Sequence, residues 1–299
     1  AGQRTFVDVT MTAVDGSKFA SQMKILADGK SSFAGFLLPE ASAAFQATSR
    51  IPSRDVEQTL ALMKFFRQEA MKGIDQDPNA PSQLKDILNR VLDVVDDTIE
   101  NGQVDMGGTV VLGPRSLKFA GGGYVADGKA LAKAFQRVIE LAKNEPDLPD
   151  VQFHADEHRG VSFHKLVVPI ADDDNETRKL LGDNLDVVIG TGENCLYLAL
   201  GTGSDELLKK VIDKSAENPA LAVPPAQLRV AIKPLIRFLA SVSDDVYVLQ
   251  LAESLGETSG GDQLLVAVNA IDNGVQYRLE VQEGVLQVLG KASALQQQQ

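Results

Sequence analysis

The chain has 299 residues, 44% hydrophobic and 23% charged, with 29 basic against 41 acidic side chains and a formal charge of -12. That length suits one large domain or two ordinary ones, and the composition is that of a packed globular protein. A surface of this sign repels nucleic-acid backbones and anionic membranes, and the sequence has no Lys/Arg run and no apolar run long enough to span a bilayer.

Residues 4–14 (RTFVDVTMTAV) alternate in polarity as a strand does. Asp15-Gly16 and Asp28-Gly29 read as hairpin turns, and the strand register continues over 31–51, with Pro39 at an edge or bulge. Ser53 is placed to cap a helix over about 54–73 that turns Val56, Leu60, Met63 and Phe65 or Phe66 inward. After the polar DQDPNAPS stretch, Ser82 caps a second helix with Leu84, Ile87, Leu88, Val91, Val94, Val95 and Ile99 at helical spacing, stopping at Asn101-Gly102. The two helices are expected to form a hairpin lying on a sheet.

Residues 103–144 read as a strand pair turning at Gly113-Pro114, a hinge at Gly121–Gly123, then a helix with Leu131, Ala134, Phe135, Val138 and Ile139 inward. The same order recurs at 185–217. There Leu196, Leu198 and Leu200 alternate with Cys195, Tyr197 and Ala199, so the strand is expected to be covered on both sides. Gly201 and Gly203 form the hinge, and Ser204 caps a helix whose buried stripe is Leu207, Leu208, Val211 and Ile212. The recurrence predicts a diverged internal repeat with hairpin and helix of one handedness. Between the two lie EPDLPD at 145–150, a linker candidate, a hairpin over about 151–169, and a short helix near 175–182. QLRVAIK then reads as a strand and PLIRFLASV as a helix starting at Pro234. The end reads as three strands, QLLVAVNAI, VQYRLEV and VLQVLG. Val275, Tyr277, Leu279 and Val281 alternate with polar residues, so one face there should be wet. A frayed QQQQ tail closes the chain.

LYLALGTGSDELLKKVID, QLRVAIKPLIRFL and the closing VQYRLEVQEGVLQVLG resemble a family of exported bacterial proteins, frequent in planctomycetes, that has no assigned chemistry. The resemblance covers mostly the C-terminal half. It implies an extracytoplasmic location and transfers no site.

Candidate chemistry is sparse. Gly123, Gly128 and Lys129 fit the spacing of a phosphate-binding loop, but Ala130 stands where the metal-binding hydroxyl belongs, and Asp127 adds a negative charge. A turn with Asp127 capping the next helix is the plainer reading. Gly201-Thr202-Gly203 lacks the third glycine of a dinucleotide fingerprint, and a hinge explains it. The three histidines all lie within VQFHADEHRGVSFHKL. A three-residue loop at His158-Arg159-Gly160 pairs His154 with His164 and sets Asp156 on the same face, a set able to bind Zn²⁺ or another divalent ion. The plainer reading is a polar hairpin face, and one register slip separates the pair. The acidic run from Asp172 to Glu176 can supply oxygens but reads more simply as a solvated helix cap. Cys195, the sole cysteine, excludes an intrachain disulfide and reads as a core thiol rather than a nucleophile. Hydrolase motifs are absent from the sequence.

The expectation is an α+β protein with antiparallel sheets, helices packed on one face, and two diverged related halves, 1–148 and 149–299, which can form one continuous body. No cofactor, catalytic residue or metal ligand is assigned. The leading function is a non-enzymatic extracytoplasmic binding or scaffold protein holding an apolar ligand or a protein partner. The alternatives are a metal-binding protein or metal-dependent hydrolase using the His154/His164 hairpin, and a structural subunit of a larger assembly.

Overall fold

Strand-forming segments from both ends of the chain meet in one sheet. The computed structural model describes residues 3–27, 29–76, 81–142, 150–217, 223–257 and 259–297. In chain order its elements are β1 (Arg4–Thr12), α1 (Lys18–Ala27), a 3₁₀ turn (Ala34–Phe36), β2 (Ala43–Arg50), α2 (Ser53–Gln76), α3 (Ser82–Glu100), β3 (Gln103–Gly113), β4 (Ser116–Tyr124), α4 (Gly128–Ala142), β5 (Asp150–His158) and β6 (Val161–Pro169). There follow α5 (Asn175–Leu181), β7 (Asn184–Thr191), β8 (Cys195–Leu200), α6 (Ser204–Glu217), β9 (Ala226–Ala231), α7 (Ile232–Val242), α8 (Val246–Ser254), a second 3₁₀ turn (Leu255–Glu257), β10 (Gln263–Ile271), β11 (Gly274–Gln282) and α9 (Glu283–Gln296). The sheet has 11 strands in the order β1-β11-β10-β9-β2-β3-β4-β8-β7-β6-β5, every neighbour antiparallel. The protein is therefore α+β with an antiparallel sheet. Strands β9 to β11 lie between β1 and β2, so a division at 148/149 does not divide the sheet.

The registers define two faces. One transverse row runs Phe163, Gly190, Tyr197, Gly122, Gly107, Gln46, Gln227, Ala267, Arg278, Asp8; we call its side the front. The adjacent row, on the back, runs His164, Ile189, Leu198, Gly121, Gly108, Phe45, Leu228, Val266, Leu279, Val7. On the front, the α6 stripe Leu207, Leu208, Val211 and Ile212 is buried with Phe33, Phe36, Phe163 and Tyr197. Leu208 and Val211 are fully enclosed there. On the back, α4 sets Leu131 and Phe135 over Ile189, Leu198 and Phe119. Helix α3 packs on α4, and α2 on α3. A separate apolar cluster joins α7, α8 and α9 through Ile236, Leu251, Leu255 and Val288.

Several expectations change. Helices flank both faces, because α6 follows β8 to the front while α4 follows β4 to the back. That difference also removes the repeat. The rotation that carries β4 onto its antiparallel neighbour β8 is about an axis normal to the sheet, and it leaves each face in place. Units of one hand would therefore put α4 and α6 on the same side; they have opposite hands. Gly121–Gly123 is no hinge but the interior of β4, whereas Gly201 and Gly203, at φ 95° and 71°, do turn the chain into α6.

The early meander gives way to α1, whose buried Ala20 and Met23 sit at helical spacing, and β1 pairs with β11. VLQVLG is the start of α9, with Val285 and Val288 on one buried side, so the third C-terminal strand is absent. Helix α2 has the expected bounds but no buried residue, and Phe65 and Phe66 face solvent. Ser204 does not cap α6; its Oγ is buried without a partner. Most of the 145–150 linker candidate lies outside the described residues.

Candidate functional site

The back face carries the site. Beside α4 is a groove of ≈ 540 Å³ lined by Leu131, Phe135, Phe45, Met106, Phe119, Ile189, Leu196 and Leu198, with Thr191 supplying a side-chain hydroxyl. Its floor is made of glycine. A Cβ on Gly108 would overlap the Phe45 ring, and one on Gly121 would meet Phe119 Cζ at 2.6 Å, so both rings reach over bare backbone. The front face is built the same way, with Tyr197 over Gly122 and Phe36 over Gly107. The glycines at 107–108 and 121–123 thus admit aromatic rings to both sides of the sheet's centre.

The groove opens onto a larger surface. From β1 across to β8 in sheet order, every back-face position is uncharged, by register. Ten large side chains there are exposed: Val7, Val9 and Met11 on β1, Tyr277 and Leu279 on β11, Val266, Leu228, Phe45, Met106 and Leu198. Their exposure runs from 38% at Phe45 to 57% at Val7, well above what a covered strand shows. On the polar front of β11, Glu280 is buried and bonded to Arg4, and Arg278 holds Asp8 in a two-pronged ion pair at 2.8 and 2.7 Å, whereas β1 is exposed on both faces, with Phe6 54% exposed on the front. The alternation in VQYRLEV therefore has the inverse of its expected meaning. Its apolar side meets solvent at Tyr277 and Leu279, though Val275 is buried, and its polar side faces α1 and the ion pairs.

The histidines are brought together by a different route from the one expected. The β5–β6 turn has two residues, Arg159 and Gly160, at φ 49° and 75°, and pairs His158 with Val161. A bulge between Gln152 and Asp156 shifts the register, and His154 takes up the extra length at φ 50°. Its ring lies 5.1 Å from that of His164. His164 is buried; its Nδ1 accepts from the His154 N–H at 3.3 Å, which places the ring proton on Nε2, 3.1 Å from Thr191 Oγ1. Burial, with the His154 imidazole beside it, lowers its pKa, so the ring is neutral at pH 7. Both of its nitrogens are occupied. Asp156 pairs with Phe163 on the opposite face and binds Lys209 at 2.8 Å, an ion pair that holds its carboxyl below the usual range. The expected set of His154, His164 and Asp156 is not assembled, and among the described residues no group of three or more His, Cys, Asp or Glu is placed to hold a metal. A polar hollow of ≈ 450 Å³ on the other flank of α4 is lined by Lys129, Lys133, Gln136, His154 and Ser162.

The other sequence candidates have local roles. Asp127 Oδ1 accepts from Ala130 N at 2.8 Å, so the Gly123–Lys129 stretch is a capped helix start. Asp174 likewise caps α5 through Thr177 N at 3.0 Å. Cys195 is partly buried against the front core, and burial pushes its thiol pKa up, away from nucleophilic reactivity. Sequence reasoning missed the groove residues Phe45, Met106 and Phe119. The signal for them was the alternation of each strand, but which side remains open depends on where the helices land. Comparison with known proteins finds no matching family model, no similar curated protein and no similar solved structure.

Proposed function

We propose that the protein is a non-enzymatic binding or scaffold protein that holds an apolar ligand against the back of its sheet, beside α4. The supporting observation is the groove of ≈ 540 Å³ with its almost wholly apolar lining and glycine floor. That volume falls in the range of small-molecule sites. The sequence resemblance adds an extracytoplasmic setting, where a carrier of poorly soluble molecules has work to do.

Native mass spectrometry of protein purified gently from its own type of host tests this. Extra mass matching a lipid or an apolar metabolite is expected, lost in Leu131→Glu, which puts a charge into the groove. Bare protein, together with no binding of an apolar fluorescent probe that Leu131→Glu abolishes, would sink the reading.

A second reading, a structural subunit, has its own support in the open apolar surface that continues from the groove to the β1 edge. Monomeric proteins rarely expose apolar patches beyond a few hundred Å². The metal-dependent alternative has less support, because it retains His154 and His164 without Asp156.

A further inference from the structure

We propose that the back face of β1, β11, β10, β9, β2 and β3 is covered by the same face of a second copy of this chain. This rests on the structural-subunit reading and names the partner. The first argument is area. Nine of the ten exposed side chains, all but Leu198 on β8, at 38% to 57% exposure present on the order of 750 Å² of surface, close to what one partner gives to a standard stable interface. The second is charge. A protein with a net charge of -12 meets its own kind against long-range repulsion, and a face without charge, as this one is by register, lets two copies meet without burying like charges against each other. The third is shape. A twisted sheet face is matched by another sheet face about 10 Å away at about -30°, and two copies of one patch close on a two-fold axis.

The helices fix how far the copies overlap. α4, on which α3 packs and α2 on α3, stands over the back of β7 and β8, while α7 touches β3 and α9 touches β10 and β11, so a second sheet meets the half that ends at β1 at its exposed positions. With the two-fold axis parallel to the strands, β1 of one copy lies over the β2–β3 region of its partner. The helix-bearing half of each copy then projects past the other's β1 edge. Val7, Leu279, Val266, Leu228 and Phe45 form the central row of contact.

The competing mode is edge pairing at β1. Backbone bonds Ala13 N to Asn273 O and Glu283 N to Gln3 O place the odd residues of β1 in hydrogen-bonded pairs with β11. The even residues therefore turn their backbone groups outward, and Thr10→Pro removes one of those donors while leaving the back face untouched.

Sedimentation equilibrium over a concentration series, with circular dichroism to verify folding, separates the modes. The wild type is expected to dimerise, and more tightly as salt screens the repulsion between acidic bodies. Leu279→Lys and Val266→Lys should each weaken the dimer at least about tenfold, and Thr10→Pro should leave it unchanged. Three results overturn the proposal: a monomer at about 100 µM, a dimer indifferent to both lysine variants, or a dimer broken by Thr10→Pro alone. A monomer that instead co-purifies with a different protein, released by Leu279→Lys, overturns the second copy as occupant but keeps the structural-subunit reading.

Discussion

His164 shows how one buried side chain links packing to pH. Burial holds its pKa below the ordinary value near 6.5, while the unfolded chain titrates at that value. The unfolded state therefore binds the proton more readily, and stability depends on the ring being neutral. Its contribution is complete above about pH 6.5 and is lost progressively as pH falls through the lowered pKa. Denaturant melts between about pH 7 and about pH 5 should show this slope, and His164→Gln should flatten it; an unchanged slope would show that His164 is not the group responsible. Asp105 carries the opposite sign. Burial raises its pKa although Ser31 Oγ at 2.6 Å and Ser32 N at 2.8 Å donate to it, so its ionisation costs stability as pH rises through the raised value. The sequence singled out His164 only as a candidate metal ligand and Asp105 not at all, since a histidine or aspartate at an alternating position goes to whichever face the register selects.

Secondary elements were legible where periodicity was long and punctuated. Helix α6, the β3–β4 and β10–β11 hairpins and β9 follow directly from their patterns. Glycine was legible as punctuation only in part. Gly201 does turn the chain, at φ 95°, with a Cβ there overlapping the Leu117 carbonyl. Gly201→Ala is accordingly expected to cost more than 1 kcal/mol in thermal or chemical unfolding. Gly121–Gly123 looks alike in sequence but serves ring packing, so Gly121→Ala should act differently, displacing Phe119 and altering probe binding in the groove. Helix α9 and α1 were misread for one reason. Short apolar runs such as VLQVLG suit either period, and only their packing partners select the helix.

For the molecule as a whole, burial decides what each leucine is worth. Leu208 is enclosed on the front, and Leu208→Ala should destabilise by about 2–5 kcal/mol. Leu279 is 41% exposed on the back, and Leu279→Ala should cost the monomer under about 1 kcal/mol while weakening the dimer. Equal costs in the two variants would argue that the back face is covered within a single chain. The pairing of β1 with β11, Arg4 opposite Gln282, joins segments nearly a chain length apart at one edge of the sheet.

Composition, charge and local periodicity were enough to establish an acidic α+β protein with most of its strands and helices in place. Those properties are local or additive, and a single chain displays them in order. Which face of each strand meets a helix is neither local nor additive. It depends on strand order, on the side to which each connection crosses, and on a bulge at His154 that no spacing rule foretells. The three-dimensional arrangement therefore chose the front for α6, the back for α4, and left the charge-free side of β1 to β3 open.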